Sequence, residues 1–361
     1  MTAAATAPSR PTYPLERALA GRHIPALDGI RAIAAGLVVL GHAGTPAPGD
    51  TGVLWFFVLS GFLITLLLLR EHDATGSVDL RAFYARRALR LLPAYYVLIA
   101  VMFAVQTLQG HAWTLGFAAS LLFYYFNYYK AWMGREGVLA HTWSLAVEEQ
   151  FYLLWPFAFR WLRRQGIRAL AWALGLTVAG ATLWRCGLYL FAGQPTFYIY
   201  HAFDTRLDSL ALGCLIAVAL RHPAAYRLAA RLVPSAAAPL PTLALLGLSR
   251  FATPSGYHYT VGFLVDAVLL AILLLQLVQL HEHRAWRLLD SAPMRYLGRI
   301  SYPVYLWHQF AAAVAHRLSA QPAAVFALTV GGTVVIASGS YYVVERPLLR
   351  LKRRFEAIPT A

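Results

Sequence analysis

The sequence has 361 residues, of which 59% are hydrophobic and only 13% are charged. So little charge cannot cover the surface of a soluble domain of this length, which excludes an ordinary soluble globular protein. The net charge of +15 would also suit a nucleic-acid-binding protein, but the basic residues lie at the ends of apolar segments, where they orient a membrane protein. Cys186 and Cys214 lie in apolar segments and are interpreted as packing residues, and no metal site is expected.

Apolar residues recur in blocks of about 16–23 residues, the length of helix that crosses ~30 Å of hydrocarbon. The sequence therefore predicts an all-α polytopic membrane protein in which residues 25–346 form one transmembrane domain. Residues 1–24 are predicted to be a flexible cytosolic tail and residues 347–361 a basic cytosolic tail. The predicted spans are 27–44, 52–70, 91–109, 143–161, 169–191, 205–220, 236–250, 260–280, 300–316 and 323–344.

The segment 113–130 is apolar enough to span the membrane, but it ends in an aromatic cluster that is typical of the membrane interface. If it does not span and the N-terminus is cytosolic, most of the 31 Lys and Arg residues fall on the cytosolic side. If it does span, every later loop changes side and the charge bias is lost. The positive-inside rule therefore predicts ten transmembrane helices, both termini in the cytosol, and an additional segment that is re-entrant or interfacial.

The first predicted span contains two polar residues that are costly in a membrane, Arg31 and His42. They are eleven residues apart, which in a helix places them within ~20° of the same face and ~16 Å apart along the axis. Asp28 precedes Arg31 by three residues and is positioned to pair with it. Either both residues are interfacial, with Arg31 extending to the cytosolic surface, or they line one polar stripe across the membrane.

The fourth span opens with the sequence HTWSLAVEEQFYLLWP, in which Glu148 and Glu149 are expected near the depth of His42. Adjacent helical residues point about 100° apart, so at most one of the two glutamates can face the histidine. A carboxylate beside an imidazole fixes its tautomer and raises its basicity. The alternative is a structural salt bridge to Arg185 or Arg206.

Three arginines precede the third span, and their spacing places Arg86, Arg87 and Arg90 on one face of a helix. One interpretation is a clamp for phosphate groups that arrive from the cytosol, because guanidinium groups match phosphate oxygens. The alternative is a topology signal that also attracts anionic lipid.

Other polar and aromatic residues in the spans are assigned to binding a substrate, although each could instead be a packed, hydrogen-bonded residue. These residues are Trp143, Ser144, Arg206, Asp208, Tyr305 and His308. The Ser60–Gly61 pair lacks the glycine pattern of a nucleophile elbow, and we interpret it as small-residue helix packing.

Several of these stretches, taken in chain order, resemble the membrane-bound acyltransferase-3 family. They are LDGIRAIAAGLVVLGH, GVLWFFVLSGFLIT, FYARRALRLLP, HTWSLAVEEQFYLLWP, SYPVYLWH and the late ERP, and they span nearly the whole chain. The resemblance implies a bacterial inner-membrane enzyme that transfers an acyl group, often acetyl, from cytosolic acyl-CoA to a hydroxyl. The acceptors that it implies are cell-envelope polysaccharides, lipid-linked sugars, glycolipid signals and macrolide antibiotics.

The resemblance also implies roles for individual residues. His42 would be the catalytic base, Arg31 and the three arginines before the third span would bind acyl-CoA, and Glu149 belongs to the VEEQFY block of the family. Many members carry an extracytoplasmic hydrolase-like domain after the membrane unit. This sequence ends soon after its last predicted span, which leaves the acceptor open.

The resulting hypothesis is that acyl-CoA binds the arginine cluster through its phosphates and extends its pantetheine arm along the polar stripe of the first span. His42 then takes a proton from the acceptor hydroxyl while Glu148 or Glu149 supports the imidazolium. A proton-coupled transporter would share such buried charges, although the two halves show no repeat and no paired broken helices. A non-catalytic scaffold that binds partner proteins is a third possibility.

Overall fold

Helices form the regular structure of residues 13–21, 24–134 and 137–355, the residues that this computed structural model describes. No β-strand occurs within those ranges, so the all-α prediction is confirmed for them. The outermost parts of the predicted tails 1–24 and 347–361 lie outside the described residues, and the division into tails and domain stays a prediction.

The first helices along the chain are α1 (Pro14–Ala20), α2 (Pro25–His42), α3 (Gly49–Thr75), α4 (Leu80–Leu108), α5 (Leu115–Leu122), α6 (Phe126–Met133), α7 (Thr142–Gln165), α8 (Ile167–Leu190) and α9 (Thr196–His201). They are followed by α10 (Phe203–Ala219), α11 (Pro223–Arg231), α12 (Pro239–Phe251), α13 (Ser255–Tyr257), α14 (Phe263–Leu280), α15 (Ala292–Arg299), α16 (Ser301–Leu318), α17 (Pro322–Ser340) and α18 (Arg346–Lys352). Two π-helical turns, His258–Gly262 and Tyr341–Glu345, make α13–α14 and α17–α18 nearly continuous.

Each predicted span coincides with a helix. Within the part of the chain that the structure describes, six helices are long and apolar enough to cross a membrane: Pro25–His42, Gly49–Thr75, Leu80–Leu108, Ile167–Leu190, His258–Leu280 and Pro322–Leu351. The other predicted spans lie on α7, α10, α12 and α16, which are shorter or more polar. The structure therefore supports a polytopic membrane protein, and the count of ten spans stays a prediction.

The segment 113–130 does not form one long helix. It folds into α5 and α6, each with eight residues and therefore only about 12 Å long, too short to cross ~30 Å of hydrocarbon. The break between them falls at Tyr124, which has a positive φ of 54°. Its carbonyl accepts a hydrogen bond from the Gln150 amide at 2.8 Å, and Tyr95 Oη donates to the Leu121 carbonyl at 2.9 Å.

Glycines allow α3 and α10 to approach each other at backbone distance near the centre of the structure. A Cβ atom on Gly61 would lie 2.0 Å from the Leu210 carbonyl oxygen, and one on Gly213 would lie 2.2 Å from that of Val58. Real Cβ atoms do not approach so closely, so only glycine fits at either position. The small-residue packing predicted for Gly61 is confirmed, and it fixes the position of α3 beside the cavity described below.

The helix α2 is held equally closely on its other side. A Cβ atom on Gly29 would meet the Leu289 carbonyl oxygen at 2.3 Å, and one on Gly298 in α15 would meet that of Asp28 at 2.0 Å. Within the predicted N-terminal tail, α1 buries Leu15 and Leu19, and the Arg70 guanidinium donates a hydrogen bond to the Leu19 carbonyl. These contacts tie the first helices to the body of the protein.

Candidate active site

A cavity of about 160 Å³, the central cavity, lies among α2, α3, α4, α7 and α16. Its lining is cationic in one region and carries hydroxyl groups in another. The polar residues that decide its chemistry are Arg31, Ser60, Arg87, Arg90, Glu148 and Tyr305. The cavity therefore brings together polar residues from the first, second, fourth and ninth predicted spans and from the basic segment that precedes the third.

The cationic region contains Arg31, Arg87 and Arg90. Arg31 donates to Asp28 Oδ1 at 3.3 Å, the pairing that the i,i+3 spacing predicted. The Arg87 guanidinium lies over the Tyr152 ring, 3.3 Å from its centroid, and 4.0 Å from Glu149 Oε1. Arg90 forms no salt bridge with any residue that the structure describes, so this region is suited to an anionic group of a ligand.

Arg86 departs from the predicted three-arginine clamp because it does not line the cavity. Its guanidinium donates to Glu71 Oε2 at 2.8 Å and to the Phe355 carbonyl at 2.6 Å. The reason is helical geometry. All three arginines lie on α4, where Arg87 and Arg90 point toward α7 and Arg86 points toward the C-terminal residues. The basic face is thus divided between a cavity and a structural contact.

Glu148 and Glu149 point in different directions, as adjacent helical residues must. Glu148 lines the cavity and accepts a hydrogen bond from Ser60 Oγ at 2.6 Å. Glu149 lies on the other side of Arg87, in a groove between α4 and α7. The predicted support of His42 by one of these carboxylates is not seen, because the hydrogen-bond and ring partners of His42 among the described residues are Val38, Gln309 and His308.

His42 ends α2 and belongs to a cluster of three histidines. Its ring is exposed on one side and packs edge-on against His308, with 4.7 Å between centroids. His308 in turn lies 4.9 Å from the His141 ring, and both of these histidines are buried. Within the described residues, no group of His, Cys, Asp or Glu side chains is arranged to hold a metal ion.

Gln309 contacts His42 directly, with its amide 3.1 Å from Nε2. The other ring nitrogen, Nδ1, lies 2.9 Å from the Val38 carbonyl, which can only accept, so Nδ1 carries a proton. Nε2 of a neutral ring is then an acceptor, and an amide NH₂ that faces it leaves the amide oxygen against the Gly137 and Val138 carbonyls, which also only accept. A 180° rotation of the amide would place its oxygen on Nε2 and its NH₂ on His141 Nδ1 and the Gly137 carbonyl, each at 3.1 Å.

Tyr305 connects the cavity with the histidine cluster. Its hydroxyl lies 2.6 Å from Ser144 Oγ and donates to the His141 carbonyl at 3.1 Å, while its ring packs against His308 at 5.5 Å. Ser144 and Tyr305 both line the cavity, whereas Trp143 packs edge-on against Phe57 with 6.0 Å between centroids. The structure therefore places two of the predicted substrate-binding residues in the cavity wall and His308 just behind it.

Arg206 and Asp208 lie outside this cavity, and their predicted role in substrate binding has no support from its lining. Asp208 forms a fully buried salt bridge with Arg185 at 2.7 Å and accepts from Thr182 at 3.2 Å. The Arg206 guanidinium packs over the Phe263 ring, 3.8 Å from its centroid. These contacts join α8, α10 and α14, and a role of Arg206 and Asp208 in substrate binding stays a prediction.

Three residues of the site escaped the sequence analysis: Ser60, His141 and Gln309. Ser60 was interpreted only as a packing residue, and it also bonds Glu148. His141 begins the HTWS motif, and Gln309 follows His308 in the sequence WHQF. The only available signal for Gln309 was an amide inside an apolar span, which does not by itself predict a partner.

Taken together, the apolar helices and the cavity with its polar side chains define a polytopic α-helical membrane protein with a candidate catalytic site. The sequence matches the family described as "Acyltransferase domain" over residues 24–344. This match covers most of the chain, so the protein belongs to the acyltransferase-3 family, as the motifs predicted.

Curated relatives support the same assignment. The chain is 32% identical over 351 residues to "Putative peptidoglycan O-acetyltransferase YrhL" of Bacillus subtilis, covering 91% of this chain and 55% of that protein. It is 29% identical to "O-acetyltransferase OatA" of Staphylococcus aureus, covering 95% of this chain and 60% of that protein. It is 29% identical to "Peptidoglycan O-acetyltransferase OatA" of Listeria monocytogenes, covering 80% of this chain and 49% of that protein. The chain thus spans about half to three-fifths of these relatives, and no solved structure matches it.

Proposed function

We propose that the protein transfers an acetyl group from acetyl-CoA to a hydroxyl of a cell-envelope carbohydrate. The observation that carries this proposal is the cavity that leads from Arg31, Arg87 and Arg90 to the Ser144–Tyr305 pair, with the histidine cluster directly behind Tyr305. A cationic region suits the phosphates of a CoA ester, and an imidazole beyond it suits activation of a hydroxyl.

The proposed orientation places the arginine region toward the cytosol and His42 toward the outside. It assumes ten transmembrane helices, both termini in the cytosol, and α5–α6 as a re-entrant or interfacial segment. The positive-inside distribution of Lys and Arg supports this orientation, and the short lengths of α5 and α6 support a segment that does not span. Arg31 lies in the N-terminal half of α2 and His42 is its last residue, so in this orientation the helix would run from the arginine region toward the outer surface.

In the proposed reaction, Nε2 of His42 takes the proton of the acceptor hydroxyl as its oxygen attacks the thioester carbonyl. The new C–O bond forms, the C–S bond breaks, and the proton returns from His42 to the departing CoA thiolate, so that CoA leaves as the thiol. The exposed side of the His42 ring is where an acceptor from outside can approach. The acetyl end of the donor comes from the cavity side, past the Ser144–Tyr305 pair.

Peptidoglycan is the acceptor that we propose first, because two of the relatives above carry it in their names. The experiment is acetyl transfer from radiolabelled acetyl-CoA by purified protein in proteoliposomes, with soluble peptidoglycan fragments on one side of the membrane and acetyl-CoA on the other. Label in the carbohydrate supports the proposal. Label that crosses without being esterified would indicate a transporter, and the absence of both would indicate a binding scaffold.

A further inference from the structure

A groove of about 370 Å³, the lateral groove, lies between α4 and α7 and reaches the break between α5 and α6. Two of its residues, Phe123 and Leu153, are exposed apolar side chains, so the groove opens on the outer surface of the helices. Arg87 and Tyr152 line both this groove and the central cavity. These two side chains therefore form the wall between the groove and the cavity.

Glu149 lies in the lateral groove and is the counter-ion of Arg87. Its Oε1 atom is 4.0 Å from Nη2 of Arg87, which is longer than a hydrogen bond. The carboxylate thus balances the charge of the guanidinium without bonding its N–H groups, and Nε of Arg87 has no hydrogen-bond partner among the described residues. The Tyr152 ring packs on the guanidinium at 3.3 Å from its centroid. Arg87 therefore keeps hydrogen-bonding capacity that an anion in the central cavity can use.

The preceding arginine on α4 is held in a different way. Arg86 donates to Glu71 Oε2 at 2.8 Å, and Glu71 also accepts from the Asp79 backbone N–H at 2.8 Å. Hydrogen bonds fix both of these side chains, and neither lines the central cavity. Arg87 and Glu149 have no hydrogen bond to each other, so a ligand can compete for Arg87 without breaking one.

The position of Glu149 sets it against any anion that binds Arg87 from the central cavity. Two negative charges then share one positive charge, and they repel each other more strongly in a buried site than in water. Glu149 must therefore lower the affinity of the cavity for an anion. Glu148 faces the same cavity, but it accepts a hydrogen bond from Ser60 Oγ at 2.6 Å and forms no salt bridge in the part of the chain that the structure describes.

We infer that Glu149 sets the affinity of the central cavity for its anionic ligand: it neutralises Arg87 in the empty protein and opposes the ligand when the cavity is filled. Glu149 does not touch the ligand and acts through Arg87. The identity of the ligand as a CoA ester rests on the proposed function, whereas the opposition between Glu149 and an anion does not. In the transferase, this opposition weakens the binding of the product CoA and so speeds its release.

The test is equilibrium binding of CoA and of pyrophosphate to the purified full chain in nanodiscs of phosphatidylcholine. Glu149→Gln keeps the size of the side chain and removes its charge, so we expect it to bind both ligands at least about fivefold more tightly than the wild type. Glu149→Met, of similar length, should behave in the same way. The matched controls are Glu149→Asp, which keeps the charge, and Glu71→Gln, which removes the carboxylate of Arg86 outside the cavity. Each control should stay within about twofold of the wild type.

The sign of the change is decisive, because loss of a merely structural residue weakens binding. Unchanged or weaker binding by Glu149→Gln would overturn the inference, and so would an equal gain in Glu71→Gln or a wild type that binds neither ligand. Tighter binding by the Glu149 variants without any acetyl transfer by the wild type would instead refute the proposed function and leave the role of Glu149 standing. Acetyl transfer by the wild type, with unchanged binding in the variants, would give the reverse.

Discussion

Gln309 holds its side-chain amide 3.1 Å from Nε2 of His42, although the two residues are far apart in the sequence. Both ends of the amide are satisfied when its oxygen accepts from a protonated Nε2 and its NH₂ turns to His141 Nδ1 and the Gly137 carbonyl. With its NH₂ on a neutral Nε2, the amide oxygen faces the Gly137 and Val138 carbonyls, which only accept. Gln309 is therefore suited to stabilising the protonated ring of His42.

Replacing Gln309 with leucine should lower kcat about tenfold, because a hydrogen bond to a charged ring contributes roughly 1.5–3 kcal/mol. KM for acetyl-CoA should stay within about twofold, since Gln309 does not line the central cavity. Steady-state kinetics measure both. The control is Gln279→Leu, which removes an amide bonded to the Ala229 carbonyl at 3.0 Å, away from the site. Equal kcat in the wild type and the Gln309 variant would contradict this role of Gln309.

Arg86 and Arg90 should behave differently, although the sequence placed them on one face. Arg90→Gln removes a charge from the central cavity and should raise KM for acetyl-CoA about tenfold or more. Arg86→Gln removes the contact with Glu71 and should leave KM within about twofold while lowering the melting temperature. Equal increases in KM for both variants would instead support the prediction that Arg86, Arg87 and Arg90 together bind acetyl-CoA.

Asp208→Asn should destabilise the protein without changing its kinetics for acetyl-CoA. The substitution leaves the buried Arg185 guanidinium without its carboxylate, which typically costs about 3–5 kcal/mol. The matched control is Asp73→Asn, whose salt bridge with Arg221 is solvent-exposed and worth about 0–1 kcal/mol. Thermal unfolding in detergent compares the two variants. A raised KM with an unchanged melting temperature would reassign Asp208 to the substrate.

Gly61→Ala and Gly213→Ala should each lower the melting temperature, because the new methyl group would strike a backbone carbonyl of the facing helix. Overpacking of this kind costs about 1–3 kcal/mol or more. Gly36→Ala is the control, since nothing lies within 4 Å of the Cβ that it would add. If all three variants unfold at the temperature of the wild type, α3 and α10 are not packed at backbone distance.

The sequence predicted the helices and the inward-facing polar residues well, because both follow from the cost of exposing polar groups to hydrocarbon. It placed a helix at every span and put Arg31, Glu148 and Tyr305 in spans that meet at one cavity. The helix α4 is longer than its predicted span, since its first turns are basic and carry no hydropathy signal.

Pairwise contacts were the part that the sequence could not supply. Periodicity gives the face of a helix on which a residue lies, but not the rotation of one helix against another. That rotation decides that Glu148 bonds Ser60 instead of His42, and that Gln309 takes the place expected for a carboxylate. Glycines such as Gly61 fix the rotation of one helix against another, and they do so through contacts with helices that are distant in the sequence.

The account depends most directly on the imidazole of His42. Its test is the rate of acetyl transfer by purified His42→Ala protein in proteoliposomes, compared with His316→Ala, a histidine that is exposed at the far end of α16. The loss of a general base lowers a rate about 10²–10⁴-fold, so we predict a fall of at least about 100-fold for His42→Ala and less than twofold for His316→Ala. A His42→Ala protein that folds and transfers acetyl at the wild-type rate would contradict the account.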